Sequence, residues 1–323
     1  MSEPVILIAA KSSGPRLDLL APLQNQARIV IANSAEANKD EASEATVLFN
    51  WSASRDLLRE LFLASPNLKW VHSRNAGVDN LLFPELIDSE VVLTNGSGVF
   101  SPSLGEFALL AMLYFAKDVP RLNRQKNAKK WEAFDMHPIE RKTVGIVGYG
   151  DIGREVGLRV KAMGMRVLAL KRHMPEPGSN PGPIDKFFVT AELNDMVSEC
   201  DYVVVAAPLT PETHHLVNEK TFAAMKKDSI IINVGRGPVI DESSMITALR
   251  EGRIKGAGLD VFEQEPLPSD CPLYEMENVL LSPHTADHHA EWLDDALRFF
   301  VAQYERFTKG EPLLNVVNKQ LGY

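Results

Sequence analysis

Three residues have the chemistry to move a proton and bind an anion: Arg236 in Asn233-Val234-Gly235-Arg236-Gly237-Pro238, Glu265 in Phe262-Glu263-Gln264-Glu265-Pro266, and His284 in Ser282-Pro283-His284. A histidine, with an ordinary pKa of about 6.5, can give up or take a proton near neutral pH. A carboxylate on its other ring nitrogen favours the imidazolium. A guanidinium grips a carboxylate with parallel N–H donors and steadies negative charge developing on a carbonyl oxygen. Singly, each has a plainer reading: a loop arginine tied to an acid, a surface carboxylate before a turn, a loop histidine satisfied by backbone. What joins them is position. Each follows a short apolar run of the kind that forms a buried parallel strand, and open parallel sheets bind ligands beyond the carboxyl ends of their strands.

A glycine-rich string, Gly148-Tyr149-Gly150-Asp151-Ile152-Gly153, closes another apolar run and opens a helical pattern of Val156, Val160 and Met163. That is the setting in which G-x-G-x-x-G binds a dinucleotide. Gly148 permits the tight turn, Gly150 lets the backbone approach a pyrophosphate, and Gly153 allows close helix–strand packing. The helix start, with the N–H groups of Asp151 and Ile152, faces the anion. The next apolar run ends in Lys171-Arg172-His173, where an acid would accept from a ribose 2′-hydroxyl. Two cations suit a 2′-phosphate, Arg172 best by its fork of donors. NADP(H) is therefore expected ahead of NAD(H), with solvated loop charges as the other reading.

The elements that must position these residues fall into two series. Runs at 5–10, 28–32, 46–51, 68–72 and 91–94 read as strands buried on both faces, with a helical pattern over 54–64 between them. A helical stretch over 103–116 leads by way of Asp118-Val119-Pro120 into a basic segment, 121–130. The second series has strands at 143–148, 166–170, 202–207, 229–234, 257–261 and 279–282, a Pro/Gly-rich loop at 175–183, and a closing helix over 288–307. Alternating strands and helices predict α/β architecture. The expected organisation is two Rossmann-like, doubly wound parallel-sheet domains: a flavodoxin-like substrate domain of 1–102 plus 289–323, and an inserted dinucleotide-binding domain of 103–288. The closing helix is expected to pack back on the first domain.

The chain has 323 residues, enough for about two domains. Its 34 Lys and Arg against 43 Asp and Glu give a net charge of −9, which argues against a nucleic-acid or anionic-membrane surface. Two cysteines, Cys200 and Cys271, are too few for a disulfide framework and predict a reducing, cytoplasmic setting. Glu3 stands where a secretory leader carries positive charge, the apolar run behind it is short, and no membrane span is expected.

The stretches GIVGYGDIGREV (145–156), DYVVVAAPLTPET (201–213), IINVGRGPVIDE (231–242), GLDVFEQEPL (258–267) and NVLLSPHTA (278–286) resemble the D-isomer-specific 2-hydroxyacid dehydrogenases, a family that includes D-lactate and phosphoglycerate dehydrogenases and glyoxylate/hydroxypyruvate reductases. The resemblance covers nearly the whole chain. It implies that Arg236, Glu265 and His284 form a catalytic triad acting with NADP(H) or NAD(H) on a 2-oxo or D-2-hydroxy acid, and that Arg236 and His284 touch both substrate and coenzyme. It implies that Asp260, Val234, Gly235 and Ala286 hold the nicotinamide side, and that Ala207 and Pro208 line the adenosine side, with Ser103 and Thr213 as further candidates. Backbone N–H groups of Asn75, Ala76, Gly77 and Val78 would hold the substrate carboxylate. The bottom-up reading of that strand-end turn is an anion nest or an ordinary strand-to-helix turn. Trp51 is expected either to favour an apolar or compact R-group or to belong to the core. The segment 118–136 matches an arm that relatives exchange across a two-fold axis, which implies a homodimer.

Departures follow His284, where Thr285-Ala286-Asp287-His288-His289 stands in place of a small residue and glycine. Residues adjacent in sequence seldom converge on one ion, so no metal site is expected there. Two alternatives share the scaffold. One is a dinucleotide-sensing corepressor like the C-terminal binding proteins, which an intact triad does not exclude. The other is a formate or phosphite dehydrogenase relative; formate dehydrogenases have glutamine where Glu265 stands.

Overall fold

The computed structural model describes residues 4–10, 17–174, 176 and 182–323. Of the Pro/Gly-rich loop, Pro175 and residues 177–181 lie outside the described residues. The chain divides into two compact units, Met1–Phe100 with His289–Tyr323, and Ser101–His288. The first boundary falls where a helix begins at Ser101, two residues ahead of the position expected from the apolar pattern.

In the first unit five parallel strands, β1 (Val5–Ala9), β2 (Arg28–Ala32), β3 (Ala45–Asn50), β4 (Trp70–Ser73) and β5 (Val92–Thr94), lie in the order β2-β1-β3-β4-β5. That is the flavodoxin-like doubly wound order. Side chains alternate between two cores, as the two-residue strand period requires. Val5, Leu7 and Ala9 face one core with helix α2 (Arg55–Leu63), while Ile6, Ile8, Val47 and Phe49 face the other. Helices α1 (Lys39–Glu44) and α3 (Pro84–Ile87) complete the connections. The closing helix, Trp292–Thr308, packs on the second face, where Phe300 stacks on Phe49 at 4.1 Å between ring centres. It starts later than expected because residues 289–291 form a turn, with Trp292 N–H donating to the His289 carbonyl. One expectation is corrected: β2 is an edge strand, with Arg28 and Ile31 exposed, Ile29 and Val30 half-buried and only Ala32 buried.

The second unit opens with α4 (Ser101–Ala116) and α5 (Val119–Asn127), the latter capped by the Asp118 carboxylate. Seven parallel strands follow: β6 (Thr143–Val147), β7 (Arg166–Lys171), β8 (Lys186–Val189), β9 (Tyr202–Val205), β10 (Ile230–Asn233), β11 (Gly256–Leu259) and β12 (Val279–Leu281). Helices α6 (Asp151–Ala162), α7 (Leu193–Glu199), α8 (Glu219–Ala224) and α9 (Glu242–Arg250) join them. The order β12-β11-β10-β9-β6-β7-β8 is a Rossmann sheet with one added edge strand. Val147, Val203, Val205 and Ile231 feed the core on one face, and Val144, Ile146, Val204 and Ile232 that on the other. β8 went unread in the sequence: four residues at a sheet edge, just after a proline-rich stretch, give too short a period to register. Among the described residues no helix is long and apolar enough to cross a membrane, and no group of three His, Cys, Asp or Glu could hold a metal ion.

Candidate active site

Arg236, Glu265 and His284 follow β10, β11 and β12, three adjacent strands of the larger sheet. The sheet order is what assembles residues 48 positions apart. His284 Nδ1 is 2.7 Å from Glu265 Oε2, so the ring's Nδ1–H donates to the carboxylate and Nε2 is left as the nitrogen for chemistry. Glu265 is itself held, its Oε1 accepting from the Phe262 N–H at 3.0 Å. His284 adopts a left-handed backbone, φ +52°, and its N–H donates to the Asp260 carbonyl at 2.9 Å.

Asp260 is buried at 1% exposure directly after β11. Its Oδ1 accepts from the N–H groups of Thr285 and Ala286 at 2.9 and 3.0 Å. Burial pushes its carboxyl up, and the Ser282 hydroxyl and those two N–H donors pull the other way. In this unit Asp260 therefore braces the turn that carries His284. Ala286 is braced a second time, since its carbonyl accepts from the Ser103 hydroxyl at 2.6 Å.

Arg236 is half-buried, with Nη1 donating to the Gly235 carbonyl at 2.9 Å. Asn233, buried at the end of β10, shapes its turn: Oδ1 accepts from Gly235 N–H at 3.1 Å and Nδ2 donates to the Arg236 carbonyl at 3.0 Å. Val234 is buried, and Gly235 lies against the backbone of Ala206 and Ala207.

The glycine-rich turn has the features a dinucleotide needs. Gly148 has φ +93°, and a Cβ there would fall 2.6 Å from the Ala207 backbone. Above Gly150 a Cβ would meet nothing within 4 Å, and no side chain caps the first turn of α6 there. The helix therefore presents its first N–H groups, those of Asp151 and Ile152 among them, at an open approach, which suits a pyrophosphate. Gly153 packs under Gly148, 2.4 Å from its carbonyl oxygen as measured from a built Cβ. Lys171 ends β7 half-buried and Arg172 follows it exposed, with Nη2 4.0 Å from Glu212 Oε1. No acid closes this strand. Ala207 is buried beside Gly148, and Pro208 follows it. The Thr213 hydroxyl donates back to the Pro208 carbonyl at 2.6 Å and accepts from Thr210 N–H at 2.8 Å, so it ties its own loop.

In the first unit the turn after β4 is pinned from one side. The Asn75 carbonyl accepts from Gly96 N–H at 3.1 Å, and the Ala76 carbonyl from Asn95 Nδ2 at 2.6 Å. Because each peptide is planar and trans, the N–H groups of Ala76 and Gly77 point away from those partners, as an anion nest requires. Val78 is buried and starts the following turn. Trp51 is 6% exposed, in the core as one of its two readings had it, but its face also carries a cation. The Arg74 guanidinium lies 4.7 Å from the Trp51 ring centre and 5.1 Å from that of Trp292. Sequence reasoning missed Arg74 and Asn95, whose roles arise from partners far along the chain, and Asn233, whose partners are local and whose strand-end placement was the available signal.

With that geometry in view, the comparisons are consistent. A family model described as "D-isomer specific 2-hydroxyacid dehydrogenase, NAD binding domain" matches residues 109–286. The glyoxylate reductase of Korarchaeum cryptofilum (strain OPF8) is 35% identical over 274 residues, 81% of this chain and 80% of that protein. A D-isomer specific 2-hydroxyacid dehydrogenase from Xanthobacter autotrophicus Py2, solved with NADPH and MES, superposes with a TM-score of 0.83 at 30% identity and full coverage of both chains. An NADPH-dependent glyoxylate/hydroxypyruvate reductase from Sinorhizobium meliloti, solved with NADP and sulfate, gives a TM-score of 0.85 at 26% identity, again with 100% coverage of each chain.

Proposed function

The chain belongs to the D-isomer specific 2-hydroxyacid dehydrogenase family, and from that premise we propose that it reduces a small 2-oxo acid of the glyoxylate or hydroxypyruvate type, with NADPH preferred over NADH. It is a D-2-hydroxyacid dehydrogenase and uses a nicotinamide coenzyme. The observation that carries the proposal is the 2.7 Å contact of His284 Nδ1 with Glu265, which leaves Nε2 to face a reacting oxygen.

Bound NADPH supplies the hydride. His284 donates the proton to the carbonyl oxygen from Nε2, and Glu265 stabilises the imidazolium from behind. Arg236 binds the substrate carboxylate and offsets the charge that builds on the oxygen. In the first unit the N–H groups of Ala76, Gly77 and Val78 form a carboxylate nest, while the Asn75 N–H donates to the Ser73 hydroxyl oxygen at 3.2 Å. On the coenzyme side Gly148, Gly150, Asp151, Ile152 and Gly153 hold the pyrophosphate, and Val234, Gly235, Asp260 and Ala286 shape the nicotinamide side. Lys171 and Arg172, with no acid at the end of β7, support the 2′-phosphate preference.

A homodimer belongs to the same proposal. Trp131 and Met136, on the segment that resembles an exchanged arm, are exposed, Trp131 fully so, as are Leu110 on α4 and Leu122 on α5. Cytoplasmic residence is supported by the low cysteine content. The test is a panel of glyoxylate, hydroxypyruvate, pyruvate, phenylpyruvate and branched-chain 2-oxo acids with each coenzyme, following loss of the reduced form. Glyoxylate or hydroxypyruvate with NADPH is expected to give the highest kcat/KM. Turnover confined to bulky acids, or equal with both coenzymes, would overturn the corresponding half of the reading.

A further inference from the structure

His215 sits in the loop after β9 and touches two other segments at once. Its N–H donates to the Pro238 carbonyl at 2.8 Å, two residues beyond Arg236. Its ring Nε2–H donates to Glu263 Oε1 at 2.6 Å, two residues before Glu265. Neighbouring backbone bonds lock the first contact: Val217 N–H to the Val239 carbonyl at 3.0 Å, and Asp241 N–H to the Val217 carbonyl at 2.9 Å. Reciprocal bonds lock the second. Glu263 N–H donates to Glu242 Oε2 at 3.1 Å, and Glu242 N–H to Glu263 Oε1 at 3.3 Å. The ring is further fixed by His214, stacked on it at 4.0 Å, and its backbone is held left-handed at φ +51°.

We infer that His215 is a positioning residue for the triad: through Glu263 it sets the loop that carries Glu265, and so the orientation of the His284 ring. A bond between two loops is useful here because Glu265 must meet His284 Nδ1 within hydrogen-bond tolerance, and displacements of about 1 Å can cost on the order of 100-fold in rate. The contact also joins the loop that runs from Ala207-Pro208, on the proposed coenzyme side, to the segment bearing the acid. The inference rests on the proposed roles of Glu265 and His284.

The test pairs kinetics with a measurement that needs no substrate. His215→Ala is expected to lower kcat about 10-fold with little change in KM for coenzyme. His215→Gln, whose amide N–H can replace Nε2–H, is expected to restore most of the loss. In a Glu265→Gln background the His215→Ala step is expected to cost less than about 2-fold, because the route through Glu265 is already broken. Full, multiplicative losses would overturn the inference. The 15N signal of His284 Nδ1 reports the Glu265 contact whatever the substrate proves to be. It is expected to shift in His215→Ala and return in His215→Gln, and an unmoved signal overturns the inference even where the enzyme reading holds. A shifted signal in a protein that reduces no 2-oxo acid would support the inference and overturn only the function.

Discussion

Gly237 and Phe262 meet backbone to backbone: a Cβ built on Gly237 would fall 1.9 Å from the carbonyl carbon and oxygen of Phe262. The glycine next to Arg236 is thus pressed against the turn in which the Phe262 N–H holds Glu265. The arginine segment and the glutamate segment share one register because nothing separates them. Gly237→Ala must push the two apart. We expect destabilisation of about 1–3 kcal/mol from overpacking and a fall in kcat of about 10-fold or more. Thermal melts and steady-state kinetics together check this, and wild-type values in both would show that the segments move independently.

His284→Asn removes the proposed proton donor and leaves the glycine-rich turn intact. Turnover is expected to fall about 10²–10⁴-fold with coenzyme affinity nearly unchanged. Coenzyme titration by fluorescence alongside kcat separates the two; a variant that turns over like wild type would take His284 out of the chemistry.

Glu265→Gln removes the negative charge 2.7 Å from the His284 ring. The ring loses the carboxylate that accepts from its Nδ1–H and fixes its orientation, so kcat is expected to fall about 10-fold or more with coenzyme affinity nearly unchanged. Wild-type kcat in this variant would refute the pairing as a source of activity.

Arg172→Ala takes away an exposed guanidinium just past β7. KM for NADPH is expected to rise about 10-fold, an effect weakened by salt, while KM for NADH holds. Equal losses for both coenzymes would mean that Arg172 does not read the 2′-phosphate.

His72 is fully buried in a cage of Phe49, Trp70, Phe299 and Phe300, with Nδ1 at 2.7 Å from the Thr94 hydroxyl. Burial pulls its imidazole down from 6.5 to about 3. Between those values the unfolded chain binds a proton that the folded unit does not, so the stability is complete above the unfolded value and drains as pH falls toward the folded one. The slope approaches ~1.4 kcal/mol per pH unit. Urea midpoints at pH 7.5 and 5 are expected to differ more for wild type than for His72→Gln; equal differences would assign the acid sensitivity elsewhere.

Local patterns determined most of the scaffold. Buried parallel strands read as apolar runs whatever their neighbours, so nearly every strand, the dinucleotide turn and the strand-end placement of Arg236, Glu265 and His284 were visible as strings. β8 was not, and β2 was found at 28–32 but misread as buried on both faces; edge strands lack the two-sided burial that makes such runs legible. Tertiary structure alone decided which strand ends lie side by side, and hence that Glu265 reaches Nδ1 of His284, that Asp260 braces the turn after Pro283, and that His215 bridges two loops. Those contacts join residues many positions apart, and hydrogen bonds at 2.6–3.0 Å are set by sheet order and register, which no local window of residues contains.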